Sequence, residues 1–174
     1  KNKKETVALI LAGYDKPDIL TRLKRRRELR QSYDGEIIYM GRNKFLEKIG
    51  GKPVIEYVLN AVNDAKDKGK PLYKKIFIYN DIESIKKSIN SNNYPRLNLR
   101  QMKGTVGGNW KDFYNNDIKY GDRVDIFFGD TPRITPEDVE WIHKSYSGIL
   151  GKKKDHRGVI IKMAFGIVRF EDLH

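Results

Sequence analysis

Asp130 follows a short apolar run, "DIFF" at Asp125–Phe128, with only Gly129 between them. A carboxylate just past a buried strand sits on a fixed backbone and faces whatever cleft opens there, which is the placement a divalent cation needs. Mg²⁺ takes oxygen ligands and keeps several waters, so one or two carboxylates suffice when substrate phosphates supply the rest. The same "GDTP" would also serve as a turn or a cap. A second apolar run, Thr6–Leu11, ends in Ala12 and Gly13. These residues have almost no side chain, so a ligand can lie against main-chain amides, and such amides bind phosphate. Downstream, Arg22 offers a planar fork for phosphate oxygens and Lys44 a point charge. A plain strand-to-loop turn explains the opening segment too, and neither the Walker pattern nor the dinucleotide glycine fingerprint is present. In "RQMKGTVGGNW", Gln101 carries a donor and an acceptor able to read a nucleobase edge, and Gly104 and Thr105 could let backbone approach a base. A strand followed by a glycine-rich turn accounts for that stretch equally.

The elements that must position these residues can be read from hydrophobic period. Thr6–Leu11, Ile76–Tyr79 and Asp125–Phe128 are uninterrupted apolar runs, as expected for strands covered on both faces. Leu97–Gln101 is a weaker strand, and Val159–Ile161 and Ile167–Val168 are late ones. Between them, Val54, Val58, Ala61, Val62 and Ala65 form one helical stripe that starts at Pro53 and can end at Gly69. Ile82, Ile85 and Ile89 mark a short helix, and Trp110–Tyr114 another. "TPEDVEWI" announces a fourth, with Thr135 as N-cap, Pro136 first and acids at Glu137 and Asp138 against the dipole. Strands alternating with helices predict an α/β fold: a mainly parallel, Rossmann-like sheet with helices on both faces, joined by right-handed crossovers. In such sheets ligands collect beyond the carboxyl ends of the strands. That rule selects Gly13, Asn80-Asp81 and Gly129-Asp130 before any chemistry is considered.

Composition narrows the class. At 174 residues and 39% hydrophobic, the chain fits one soluble globular domain. No apolar run approaches the roughly 18 residues that span a bilayer. The first residues, Lys1-Asn2-Lys3-Lys4-Glu5, lack the apolar core of a secretory signal, and cysteine is absent. Disulfides and thiolate metal sites are therefore excluded, and a cytoplasmic location is expected. The net charge of +12 asks for an anionic partner or reflects a lysine-rich, solvated exterior. "RLKRRRELR", with Tyr33 and Tyr39 nearby, could be a basic strip binding RNA; a salt-bridged surface helix is the plainer account. Gly151–Gly158, "GKKKDHRG", is the most polar stretch and reads as an exposed loop.

Taken in order, "LAG…TRL…NKFLEKIGGKPVIEYVL…RQMKGT…FFGDTPRITPEDV" resembles the nucleotidyltransferase superfamily of sugar-1-phosphate, molybdenum-cofactor and isoprenoid-precursor enzymes. The closest correspondence is Asn43–Leu59, which resembles the family's lysine, apolar pair, "GKP" and helix. "GDTP" is similar to its metal-binding Gly-Asp-x-Pro, and Gly104-Thr105 to the Gly-Thr after a base-reading glutamine. The resemblance runs from Val7 to about Val139; the acceptor side beyond is only loosely similar. It implies that Leu11, Ala12 and Gly13 give main-chain contacts to a nucleotide and that Arg22 and Lys44 hold the triphosphate. Gln101, Gly104 and Thr105 would contact the base, and Asp130 would bind Mg²⁺. The implied reaction moves an NMP group from an NTP to a phosphorylated small molecule such as a sugar 1-phosphate, releasing pyrophosphate. Tyr14 stands where the family has a second glycine, the stretch from Arg22 to Lys44 is expanded, and no second metal carboxylate is matched late in the chain. Two other classes compete. One is a non-catalytic RNA- or nucleotide-binding protein on the same fold. The other is a nucleotide-sugar glycosyltransferase, whose usual Asp-x-Asp is absent at Asp130.

Overall fold

A computed structural model describes residues 5–13, 43–119, 122–150 and 160–163. Its centre is a five-stranded sheet of β1 (Thr6–Leu11), β2 (Lys75–Asn80), β3 (Leu97–Gln101), β4 (Arg123–Phe128) and β5 (Ile160–Met163). The spatial order is β3-β2-β1-β4-β5 and every pairing is parallel. The α/β, Rossmann-like expectation is thus met. The chain builds outward from β1 in one direction, through β2 and β3, then returns to lay β4 and β5 on the other side. Strand order therefore reverses between β1 and β4, and doubly wound sheets bind ligands at that reversal, outside the carboxyl ends.

Alternation along β1 divides the core into two layers, because successive side chains of a strand point to opposite faces. Ala8, Ile10 and Ala12 pack with helices α1 (Val54–Asp64), α2 (Ile82–Ser88) and α4 (Pro136–Leu150), through Val58, Leu59, Ile85, Val139 and Ile142. Val7, Leu9 and Leu11 pack on the other face with Phe77, Ile126 and, from helix α3 (Val106–Asn116), Phe113. Helices thus cover both faces, which is why the central strands read as continuous apolar runs.

The helix ends follow their capping chemistry. Thr135 and Asp138 form a reciprocal box at the start of α4: the Asp138 amide donates to Thr135 Oγ1 (3.2 Å) and the Thr135 amide to Asp138 Oδ2 (3.0 Å). Asp81 caps α2 by accepting the Ser84 amide (3.2 Å). The first helix departs from the sequence expectation. It starts at Val54, directly after Pro53, and stops at Asp64, because Ala65 is extended (ψ 137°). Lys66–Asp67 and Lys70–Pro71 then form a small antiparallel hairpin, with Lys68 and Gly69 as its two-residue turn at positive φ. Its buried stripe is Ile55, Val58, Leu59, Ala61 and Val62, with Val54 at the margin. The late strand expected at Val159–Ile161 is described over Ile160–Met163, beginning one residue later and ending two later. Gly151–Gly158 and Ile167–Val168 lie outside the described residues. No helix among the described residues is long and apolar enough to cross a membrane.

Candidate functional site

At the strand-order reversal, β1 and β4 end side by side. The Gly129 amide donates to the Leu11 carbonyl (2.9 Å), so the backbone pairing continues one residue past the strand. A Cβ on Gly129 would stand 3.0 Å from the Phe45 ring, 3.1 Å from Ala12 Cβ and 3.2 Å from the Leu11 carbonyl oxygen. A side chain there would press on all three, and the next residue, Asp130, is delivered at the mouth of the cleft. Across it, Phe45 is buried in the core beneath this turn. The 3-10 turn Lys44–Leu46 that carries Phe45 thereby sets Lys44 at the rim. Lys44 Nζ donates to Asp130 Oδ2 at 2.5 Å, with 42% of each side chain exposed.

A second group of predicted residues lies at the far end of the cleft. Gln101 closes β3, the edge strand, and is exposed; its Oε1 accepts the Ile82 amide (3.3 Å). Gly104 turns the chain at φ +83°, and Thr105 caps α3 by accepting the Gly108 amide on its Oγ1 (2.9 Å). With strands about 4.8 Å apart, Gln101 on β3 and Asp130 beyond β4 bracket a mouth roughly 14 Å wide. The loop from Met102 to Thr105 is held from below by polar contacts between α3 and the sheet. Arg100 grips Asp117 through Nε (3.0 Å) and Nη2 (2.5 Å), and the Tyr79 hydroxyl donates to Asp112 (2.9 Å). Burial and those carboxylates push the Tyr79 phenol up. Its hydrogen bond, helped by Lys103, holds the Asp112 carboxyl below the usual range.

Leu11, Ala12, Gly13, Lys44 and Asp130 therefore meet at one end of the cleft, and Gln101, Gly104 and Thr105 at the other. Arg22 lies outside the described residues, as do Tyr14 and the basic run Lys24–Arg27. Two further residues join the groups: Asn80, which the strand-end rule selects without assigning it chemistry, and Asn109, which sequence reasoning does not single out. Asn80 is 1% exposed: its Nδ2 donates to the Ala12 carbonyl (2.5 Å), and its Oδ1 accepts from Asn43 Nδ2 (2.6 Å) and the Asp81 amide (2.7 Å). Asn109, 2% exposed on α3, accepts the Lys103 amide on Oδ1 (2.6 Å). Its Nδ2 lies 2.9 Å from where a Gly13 Cβ would stand. The available signals were an amide at the end of an apolar strand, and an asparagine four residues before Phe113 on a helix's buried stripe.

Among the described residues no group of three or more His, Cys, Asp or Glu side chains could hold a metal ion. The donor set at the reversal, one carboxylate beside a lysine, suits a cation that brings phosphate oxygens with it. An exposed ion pair of this kind is also easily exchanged, because its net worth in water is about 0–1 kcal/mol. An anionic ligand can take over Lys44 while a cation takes over Asp130, with neither charge left bare.

No family model matches the chain. It is 31% identical over 105 residues, 59% of its length, to the bifunctional protein GlmU of Buchnera aphidicola subsp. Schizaphis graminum (strain Sg). The chain spans about a fifth of that protein, 21%.

Proposed function

We propose that this protein is a Mg²⁺-dependent nucleotidyltransferase that moves an NMP group from an NTP to a phosphorylated small molecule, such as a sugar 1-phosphate. The observation that carries this reading is the Lys44–Asp130 pair, set across the strand-order reversal beside the bare Ala12–Gly13 segment and the Gly129 turn. The similarity to GlmU supports the superfamily. A phosphate oxygen of the acceptor attacks the α-phosphorus, the bond from that phosphorus to the bridging oxygen breaks, and pyrophosphate leaves. No covalent enzyme intermediate is needed, so the protein's task is to align nucleophile and leaving group and to offset charge. Lys44, with Arg22 assigned by motif order, neutralises the triphosphate and then the departing pyrophosphate. The main chain of Leu11–Gly13 holds the nucleotide, and Gln101, Gly104 and Thr105 face its base. Asp130 fits the role of Mg²⁺ ligand, and the ion when bound supplies Lewis-acid polarisation of phosphate oxygens. A cytoplasmic location accords with this substrate class.

The test is pyrophosphate release, measured with ATP, CTP, GTP and UTP against a panel of sugar 1-phosphates and other phosphorylated acceptors. Release that needs Mg²⁺, one NTP and one acceptor class is expected. Absence of release with every pair, together with absence of binding to all four NTPs, would overturn the reading.

A further inference from the structure

Four polar side chains are buried among the described residues: Asn80, Asn109, Asp122 and Asp125. The two aspartates serve the amino-terminal half of the sheet. The two asparagines flank one segment at the carboxyl end, Ala12–Gly13, and each also reaches a second segment of the cleft.

We propose that Asn80 and Asn109 are positioning residues that hold the Ala12–Gly13 segment in register with Lys44 on one side and with Gly104–Thr105 on the other. The inference rests on the nucleotidyltransferase reading and deepens it by dividing the nucleotide site into a phosphate side and a base side. On the phosphate side, Asn80 Nδ2 fixes the Ala12 carbonyl while its Oδ1 holds the Asn43 amide, and Asn43 immediately precedes Lys44. One side chain thus sets the distance between the nucleotide's main-chain contacts and the lysine. Only an amide does this: Oδ1 uses both its lone pairs, on Asn43 and Asp81, while Nδ2 donates to Ala12. A carboxylate there would oppose the Ala12 carbonyl. On the base side, Asn109 Oδ1 fixes the Lys103 amide, at the start of the Gly104–Thr105 turn, while its Nδ2 packs where Gly13 lacks a side chain. Because both asparagines are neutral, they fix geometry without competing with Lys44 and Asp130 for charged ligands.

The account separates two effects that general loosening of the fold would merge. Calorimetric binding of the four NTPs with Mg²⁺, and of inorganic tripolyphosphate, is measured for the parent, Asn80→Asp, Lys44→Gln, their double variant and Asn109→Leu. Asn80→Asp is expected to weaken the preferred NTP and tripolyphosphate by about tenfold with Lys44 present and by little in the Lys44→Gln background, as for residues sharing one network. Asn109→Leu is expected to shift the affinity ratios among the four NTPs by about tenfold, a typical consequence of a displaced polar contact. Its tripolyphosphate affinity should match the parent. Asn43→Ala breaks the same Asn80 link from a half-buried position and gives the same coupling to Lys44 should Asn80→Asp fail to fold. Additive Asn80 and Lys44 effects with unchanged NTP ratios would overturn the inference alone. A parent that binds none of the NTPs would overturn it together with the reading it rests on.

Discussion

Strand β4 and the turn that follows it supply two aspartates five residues apart, and they live in opposite conditions. Asp125 is 1% exposed. His143 Nδ1 lies 2.7 Å from its Oδ2, the Tyr73 hydroxyl donates to the same oxygen at 3.0 Å, and Arg123 Nε stands 3.6 Å from Oδ1. That last approach is beyond hydrogen-bond reach, leaving Arg123 Nε and Asp125 Oδ1 without a hydrogen bond. Arg123 in turn donates through Nη2 to the His143 carbonyl (2.7 Å). Asp130 is exposed and has Lys44 beside it. The fold encloses the first carboxylate with groups from β4, α4 and the segment before β2, so removing any of them strands a buried charge. Among the described residues the second carboxylate has one partner, Lys44, and the pair is reachable by water and by ligands. The same chemical group can thus be a fastening in the middle of a strand and, beyond its end, a group left open to ligands. Burial and the number of partners decide which.

The largest effect should come from breaking the fastening. Asp125→Ala leaves Arg123, His143 and Tyr73 facing a void and should lower unfolding free energy by about 3–5 kcal/mol in urea titrations. A cost no greater than that of removing Lys44 would erase the contrast. Next, Tyr79→Phe deletes a phenol bonded to two carboxylates, Asp112 at 2.9 Å and Asp117 at 3.3 Å, for a loss of about 1.5–3 kcal/mol. The Tyr79 phenol is raised by burial and by those carboxylates, and those of Tyr73 and Tyr94 are raised too, burial first. The native state then keeps protons that the unfolded chain releases. Stability is full below the ordinary tyrosine value near 10 and falls as pH rises past it. Unfolding followed upward through that range should show the decline, and Tyr79→Phe should make it shallower. Gly129→Ala should cost about 1–3 kcal/mol by pressing a methyl into Phe45 and Ala12, and it should weaken NTP binding besides. The smallest effect belongs to Lys44→Gln, within about 1 kcal/mol in the absence of ligand, because its pair with Asp130 is exposed. A larger loss on thermal melting would make that pair a fastening after all.

Much of this contrast was legible in the sequence, and what was missed has a physical reason. Continuous apolar runs gave β1, β2 and β4 because those strands are covered on both faces. Thr135 as N-cap, Pro136 after it and the acids Glu137 and Asp138 gave the start of α4, since capping is local. Gly69 misled, because a glycine that can end a helix can also turn a hairpin; the extended Ala65 decides between them, and backbone angles leave no mark in composition. Lys44 and Asp130 were legible as separate motifs, and only the sheet order shows them meeting. Asn80 was legible as a strand-end position but not as a link between segments, and Asn109 was not legible at all. Their partners are a carbonyl and amides of distant segments, and main-chain groups carry no residue signature. Asp125 was read as the first residue of an apolar run, with nothing nearby to announce His143 or Tyr73 as its partners.

The proposed Mg²⁺-binding role belongs to Asp130, two residues past the end of β4. Melting temperatures of the parent and of Asp130→Asn, taken with each NTP and with or without Mg²⁺, test it most directly. Ligand that binds only the native state stabilises it, by about 2.7 kcal/mol at a hundred times its Kd. The parent should show a rise with one NTP that depends on Mg²⁺, while Asp130→Asn should keep the ligand-free melting temperature and lose the Mg²⁺-dependent part. A folded Asp130→Asn protein with the same Mg²⁺-dependent rise as the parent would contradict the account.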